Sequence, residues 1–248
     1  MVKSKLTFYR SQEEDRNNIY NFFRNQDPGG WSGRVVQYGL PFHLVGAVIN
    51  DELNAKKNIE NYIDSEYKAI EKYNLYSNIE EEMADSWSKV SSDFENRILE
   101  ITNKELCEYK CRISLCLITP AWDDFTTINI SIKNKSSKKL YSIAYELLLS
   151  HSFKCVREFY SKEEVASAWD VWGFAEITTV FMLRDSIIMK LFNDIPNKNV
   201  KKGWFKGSRY ACLEKPAEKL YEFWIEKKSF REYLDKSISY LKQNHIVV

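Results

Sequence analysis

Glycine and proline are scarce, eight and five in 248 residues, and histidine is scarcer still at three. That scarcity excludes collagen-like and low-complexity architectures. An excess of either charge is also missing: 36 Lys and Arg stand against 35 Asp and Glu, a net charge of +1. The chain-wide basic character of a nucleic-acid binder is therefore absent. No run approaches the roughly 18 consecutive apolar residues of a membrane-spanning helix. The longest apolar-leaning stretch, 171–183, is interrupted by Glu176 and two threonines. The opening Met1-Val2-Lys3-Ser4-Lys5-Leu6 lacks the apolar core of a secretion signal. Five cysteines, an odd number, point to reduced thiols. The expectation is a cytoplasmic protein with no membrane partner.

What is present is ordinary globular material. Hydrophobic residues make up 44% and charged residues 29%, which separates the chain from disordered ones. Area scaling for this size buries roughly 70% of the surface on folding, so the core needs no disulfide or metal. Four capping boxes, Ser11/Glu14, Ser77/Glu80, Ser161/Glu164 and Ser229/Glu232, precede apolar-periodic segments. They predict helices over 11–25, 42–74, 77–106, 137–159, 161–192 and 216–243. The second should break near Asn50–Asn54 and the last near Lys228.

Two segments read as strands. Residues 110–119 place Ile113, Leu115 and Leu117 on one parity, and 125–132 place Ile128, Ile130 and Ile132 on one face. Pro120-Ala121-Trp122-Asp123-Asp124 reads as the loop between them. Residues 2–9 or 34–40 are candidates for a further strand. The expected fold class is α+β: predominantly helical, with a small antiparallel sheet (strands near 110–119 and 125–132) packed against the helices. A soft boundary near residue 108 separates a helical N-terminal part, 1–108, from a strand-helix-helix part, 109–248.

Three groups of residues carry potential chemistry. Cys107, Cys111 and Cys116 are spaced C-x3-C-x4-C, without a second pair or a nearby histidine. They read as small buried side chains rather than a zinc site. Lys201-Lys202-Gly203-Trp204-Phe205-Lys206-Gly207-Ser208-Arg209-Tyr210 interleaves four cations with three aromatics. With the net charge near zero it reads as a solvated loop, not a nucleic-acid surface. The third group is the most informative. Glu146 lies in Tyr145-Glu146-Leu147-Leu148-Leu149, and Glu176 in Trp172-Gly173-Phe174-Ala175-Glu176. Each is an acid in the middle of an apolar helix, where burial penalises its charged form. On successive antiparallel helices the two carboxylates are expected to meet. Trp169 and Trp172, three residues apart on one helix face, are expected to pack.

This layout, a strand pair, a helix with a central Glu and a later helix with a second Glu, resembles the gluzincin metallopeptidases, and the minigluzincins among them. The resemblance implies that Glu146 matches the water-activating Glu of His-Glu-x-x-His and Glu176 the third metal ligand. Tyr145 and Leu149 stand where the two histidines would be, and strand 125–132 would align substrate. With both histidines lost, zinc chemistry is not expected. His151, five residues after Glu146, faces about 140° away on an ideal helix. The reading is therefore a non-catalytic protein- or peptide-binding protein with a degenerate zincin-like core and no cofactor. Its contact residues are drawn from Glu176, Tyr145, Leu149 and Trp172, and its role is regulation, immunity or defence. One alternative is a zinc-dependent hydrolase using Glu146, Glu176 and a histidine. Another is a helical scaffold that contacts proteins.

Overall fold

The computed structural model describes residues 6–24, 41–50, 52–115, 126–132, 136–157, 169–192 and 213–244. In chain order its elements are β1 (Leu6–Tyr9), α1 (Gln12–Arg24), α2 (Phe42–Ile49), α3 (Ala55–Lys72), α4 (Ile79–Thr102), β2 (Tyr109–Ser114), β3 (Thr127–Ser131), α5 (Ser136–Arg157), α6 (Trp169–Leu183), α7 (Ser186–Leu191), α8 (Glu214–Glu226) and α9 (Phe230–Asn244). The helical majority follows the sequence periodicity. The expected breaks are present, between α2 and α3 and between α8 and α9. At the first, Asn54 takes a left-handed φ of 73° directly before α3.

The chain divides into two compact units, Leu6–Trp87 with Tyr109–Lys139, and Ser88–Glu108 with Leu140 onward. The first holds the sheet, with strand order β1-β2-β3. The antiparallel pairing expected from the sequence is wrong: both strand pairs are parallel. The reason lies in the separation of the two strands along the chain. The assigned strands are β2 to Ser114 and β3 from Thr127, so residues 115–126 lie between them in the chain. A dozen residues is the length at which a chain can return for parallel pairing, whereas a hairpin needs two to five. β1 falls within the 2–9 candidate; 34–40, the Ser161/Glu164 box and the 201–210 loop lie outside the described residues.

The register gives the sheet two unlike faces. Phe8, Cys111 and Ile128 line up on one, with Ile113 beside Ile130. On the other, Tyr9, Arg112 and Asn129 line up, with Ser114 beside Ser131. Both faces are buried, as parallel sheets require, so four polar side chains, Arg112, Ser114, Asn129 and Ser131, are inside. α1 answers them with Asp15, which is fully buried. Its carboxylate accepts from Ser114 Oγ at 2.6 Å, the Leu115 N–H at 3.0 Å and Tyr67 Oη of α3 at 3.0 Å. Arg112 Nε lies 3.8 Å from Asp15 Oδ1, and Arg112 Nη1 donates to Glu14 at 2.8 Å. The Ser11 box is half realised: Ser11 Oγ accepts the Glu14 N–H at 3.2 Å, but the Glu14 carboxylate is taken by Arg112 and Tyr9 Oη.

The second unit is helical. α6 is buried almost all round from Phe174 to Leu183, the mark of a central helix. Its Phe174 and Phe181 rings meet Tyr233 of α9, and Phe181 also meets Tyr221 and Trp224 of α8. Among the described residues, Ser229 and Glu232 form a two-sided capping arrangement. The Glu232 N–H donates to Ser229 Oγ at 3.1 Å, and the Lys228 N–H donates to Glu232 Oε2 at 2.9 Å.

Burial outweighs the donors around Asp15 and raises its carboxyl above the ordinary 3.8. Removing its charge would leave Arg112 with Glu14 alone in a buried setting. Asp15→Asn should therefore lower stability by about 3 kcal/mol in urea unfolding. The folded state holds this proton to higher pH than the unfolded chain, so Asp15's contribution falls as pH rises through its folded value. Asp15→Asn should remove that part of the slope; a loss under about 1 kcal/mol would show that the network is incidental.

Candidate functional site

Three places bear on function, each within one unit. The first is where α5 meets α6. Glu176 is 2% exposed, and Tyr145 Oη donates to its Oε2 in a short hydrogen bond. The structure thus brings together Tyr145 and Glu176. Glu146, next along α5, points about 100° around the helix from Tyr145 and is half-buried, as is Leu149. The side chains of Trp169 and Trp172 lie outside the described residues. A buried carboxylate without a donor is strongly disfavoured, and Tyr145 supplies one.

The second is His151, buried on α5. Its Nε2 lies 3.2 Å from Thr102 Oγ1 and 3.6 Å from Cys155 Sγ. The single Thr102 hydroxyl proton faces backbone carbonyls, Ile98 O at 2.8 Å and Lys104 O at 3.1 Å. Thr102 Oγ1 therefore accepts from the imidazole, which assigns the proton to Nε2. Cys155 consequently faces an N–H and not a bare nitrogen able to take its proton. Burial, with Lys104 and Lys154 nearby, pushes His151 down to about 4. Of the C-x3-C-x4-C cysteines, Cys111 is buried as expected, Cys107 is exposed against expectation, and Cys116 lies outside the described residues. Among the described residues no three His, Cys, Asp or Glu side chains gather as a metal site.

The third place escaped the sequence reading: the turn between α3 and α4. α3 ends in a Schellman motif, with Leu75 N–H to Ile70 O at 2.9 Å and Asn74 N–H to Glu71 O at 3.1 Å. Asn74 takes φ 51°, as an asparagine in that place can, but Tyr76 also takes a left-handed φ, 58°. For a tyrosine that backbone is strained, and such strain gathers at functional sites. The turn presents Tyr73, Leu75 and Tyr76 to solvent, 64%, 46% and 42% exposed. The sequence signal was a Tyr-Asn-Leu-Tyr tetrad at a helix end, where polar turn residues are usual. Next to it, Lys139 of α5 is 3% exposed, with Nζ 5.9 Å from the Tyr76 ring centroid.

No protein-family model, curated protein or solved structure matches the chain. Among the described residues no helix is long and apolar enough to cross a membrane.

The unfolded chain takes up a proton at a histidine near 6.5, the folded chain at His151 only near 4. Stability contributed by His151 is complete above 6.5 and falls as pH falls towards 4, by about 3 kcal/mol. Urea unfolding at pH 7 and pH 4.5 should show this loss, and His151→Gln should flatten it. A slope unchanged by the substitution would place the acid sensitivity elsewhere.

Proposed function

We propose that the chain is a non-catalytic protein- or peptide-binding protein whose contact surface includes the turn at 73–78. The observation that carries this reading is Tyr76. A bulky residue in a left-handed conformation costs roughly 1–2 kcal/mol that glycine would avoid, and here the ring it carries is half-exposed. With Tyr73 and Leu75 it forms an apolar, aromatic tip on a backbone held by the helix-end hydrogen bonds. Tyrosine on a pre-ordered backbone gives large contact area for little ordering entropy.

Tyr76→Gly separates a binding role from a structural one. It should raise stability by about 1 kcal/mol, because glycine adopts this φ freely. It should also weaken partner capture by a photo-crosslinking amino acid placed at position 73. A destabilised Tyr76→Gly protein, or capture indifferent to the whole turn, would overturn the reading.

The non-catalytic part of the proposal draws on Tyr145 and Glu176. In the zincin comparison position 145 corresponds to the first histidine and position 176 to the third ligand. A hydrogen bond between them is what a metal place closed by substitution would contain: the hydroxyl takes the carboxylate that a metal would need. Zinc titration of wild type should give no one-to-one binding. Tyr145→His with Leu149→His places two imidazoles one turn apart on α5, with Glu176 in reach of the first, and should create a measurable site. Tight binding by wild type would promote the hydrolase alternative. No gain in a well-folded double variant would remove chemical support from the zincin-like reading.

A further inference from the structure

The charges around the Tyr73–Tyr76 turn lean to one sign. From Glu71 to Asp85 the chain carries five carboxylates, Glu71, Glu80, Glu81, Glu82 and Asp85, and one cation, Lys72. Glu80 is committed to Arg10 at 2.6 Å, while Glu71, Glu81, Glu82 and Asp85 are exposed. Glu81 and Glu82 stand in the first turn of α4, and Asp85 follows one turn later on the same side of the helix. With Arg10 and Lys139 included, acids still outnumber cations, five to three. Glu82 and Tyr76 share a neighbour: Lys139 Nζ is 5.9 Å from the Tyr76 ring centroid and feels the Glu82 charge. Acids and exposed rings thus belong to one surface. The rings already draw cations, with Lys72 Nζ 5.2 Å from the Tyr73 ring centroid.

We propose that this turn and the first two turns of α4 receive an arginine-bearing basic segment of a partner protein. The inference rests on the binding function assigned to the turn and names the chemistry of its partner. The choice follows from both halves of the surface. Tyr73, Leu75 and Tyr76 are 64%, 46% and 42% exposed, an apolar area that calls for apolar side chains beside the cation. A guanidinium stacks on a tyrosine face while its N–H groups reach carboxylates at the ring's edge. A lysine ammonium is compact and strongly hydrated, so it gives up more for the same place. An acidic segment, or a nucleic-acid backbone, would meet its own charge at Glu81, Glu82 and Asp85.

The test uses the full chain and a dye-labelled Arg-Leu-Arg-Leu-Arg peptide with blocked ends, followed by fluorescence anisotropy at low salt. The lysine and glutamate versions of the same peptide are run beside it. The arginine peptide should bind saturably, the lysine peptide about threefold more weakly, and the glutamate peptide not at all. Glu81→Gln with Glu82→Gln should weaken the arginine peptide about fivefold, and Tyr76→Gly should do the same. Glu218→Gln with Glu226→Gln removes as much charge from exposed positions of α8 and should leave the affinity unchanged. An equal loss in the two double variants would reduce the binding to general charge attraction and overturn the inference. So would no saturable binding of the arginine peptide, tighter binding of the glutamate peptide, or an affinity indifferent to Tyr76→Gly. A lysine peptide that binds as tightly overturns the arginine assignment. Crosslinked capture from position 73 keeps the two readings apart. Capture that depends on the turn but is not competed by the arginine peptide sinks this inference alone; capture independent of the turn sinks the binding function itself.

Discussion

The first unit depends on one carboxylate. Asp15 joins α1 to α3 through Tyr67 and to the central strand through Ser114, Leu115 and Arg112. A parallel sheet covered on both sides is ordinarily apolar on both faces. Here one face is polar, and its burial is tolerable only because α1 delivers an acceptor for the donors beneath it. The constraint runs both ways: Arg112 in the strand requires acids overhead, and Asp15 in the helix requires donors below. Such mutual requirement fixes register, since a one-residue slip would turn Arg112 into the apolar layer and strand Asp15.

The helices were legible because their signals are local. A serine three residues before a glutamate, an apolar stripe such as Ile59 and Ile63 on α3, and an asparagine at a junction each act within one or two turns of chain. Even there, the Glu14 carboxylate shows the limit: the sequence sends it back to its own cap, and the fold sends it to Arg112, 98 residues away. Strand direction was not legible, because parallel and antiparallel partners share the same alternation and differ in the connection that joins them. Asp15 left only a faint trace, an arginine embedded in the apolar run Cys111–Ile113. The Tyr76 conformation left less, since no side-chain pattern distinguishes a left-handed tyrosine from an ordinary one.

The meeting of Tyr145 and Glu176 has a different character. The sequence singled out two glutamates in apolar helices and expected like charges to find each other. The carboxylate at 176 accepts from a neutral phenol, that of Tyr145. His151 follows the same rule one face away, kept neutral among Thr102 and Cys155. The helical unit keeps its ion pair, Arg97 with Asp185 at 2.6 Å, nearer the surface, whereas the sheet unit builds an ion network around the fully buried Asp15.

The strand pairing sets a schedule for synthesis. β1 leaves the ribosome before β2, its neighbour in the sheet among the described residues, and Thr7 lies 102 residues before its Tyr109 partner. At roughly 5–20 residues per second, that interval lasts about 5–20 s. Through it the Leu6–Tyr9 edge and the Asp15 carboxylate have no sheet to join. α1 and α3 can assemble during the wait, while the polar layer closes only after Ser114 emerges. A nascent chain halted before that point would carry its acids on the outside, so the sheet unit matures late although its first strand is made first.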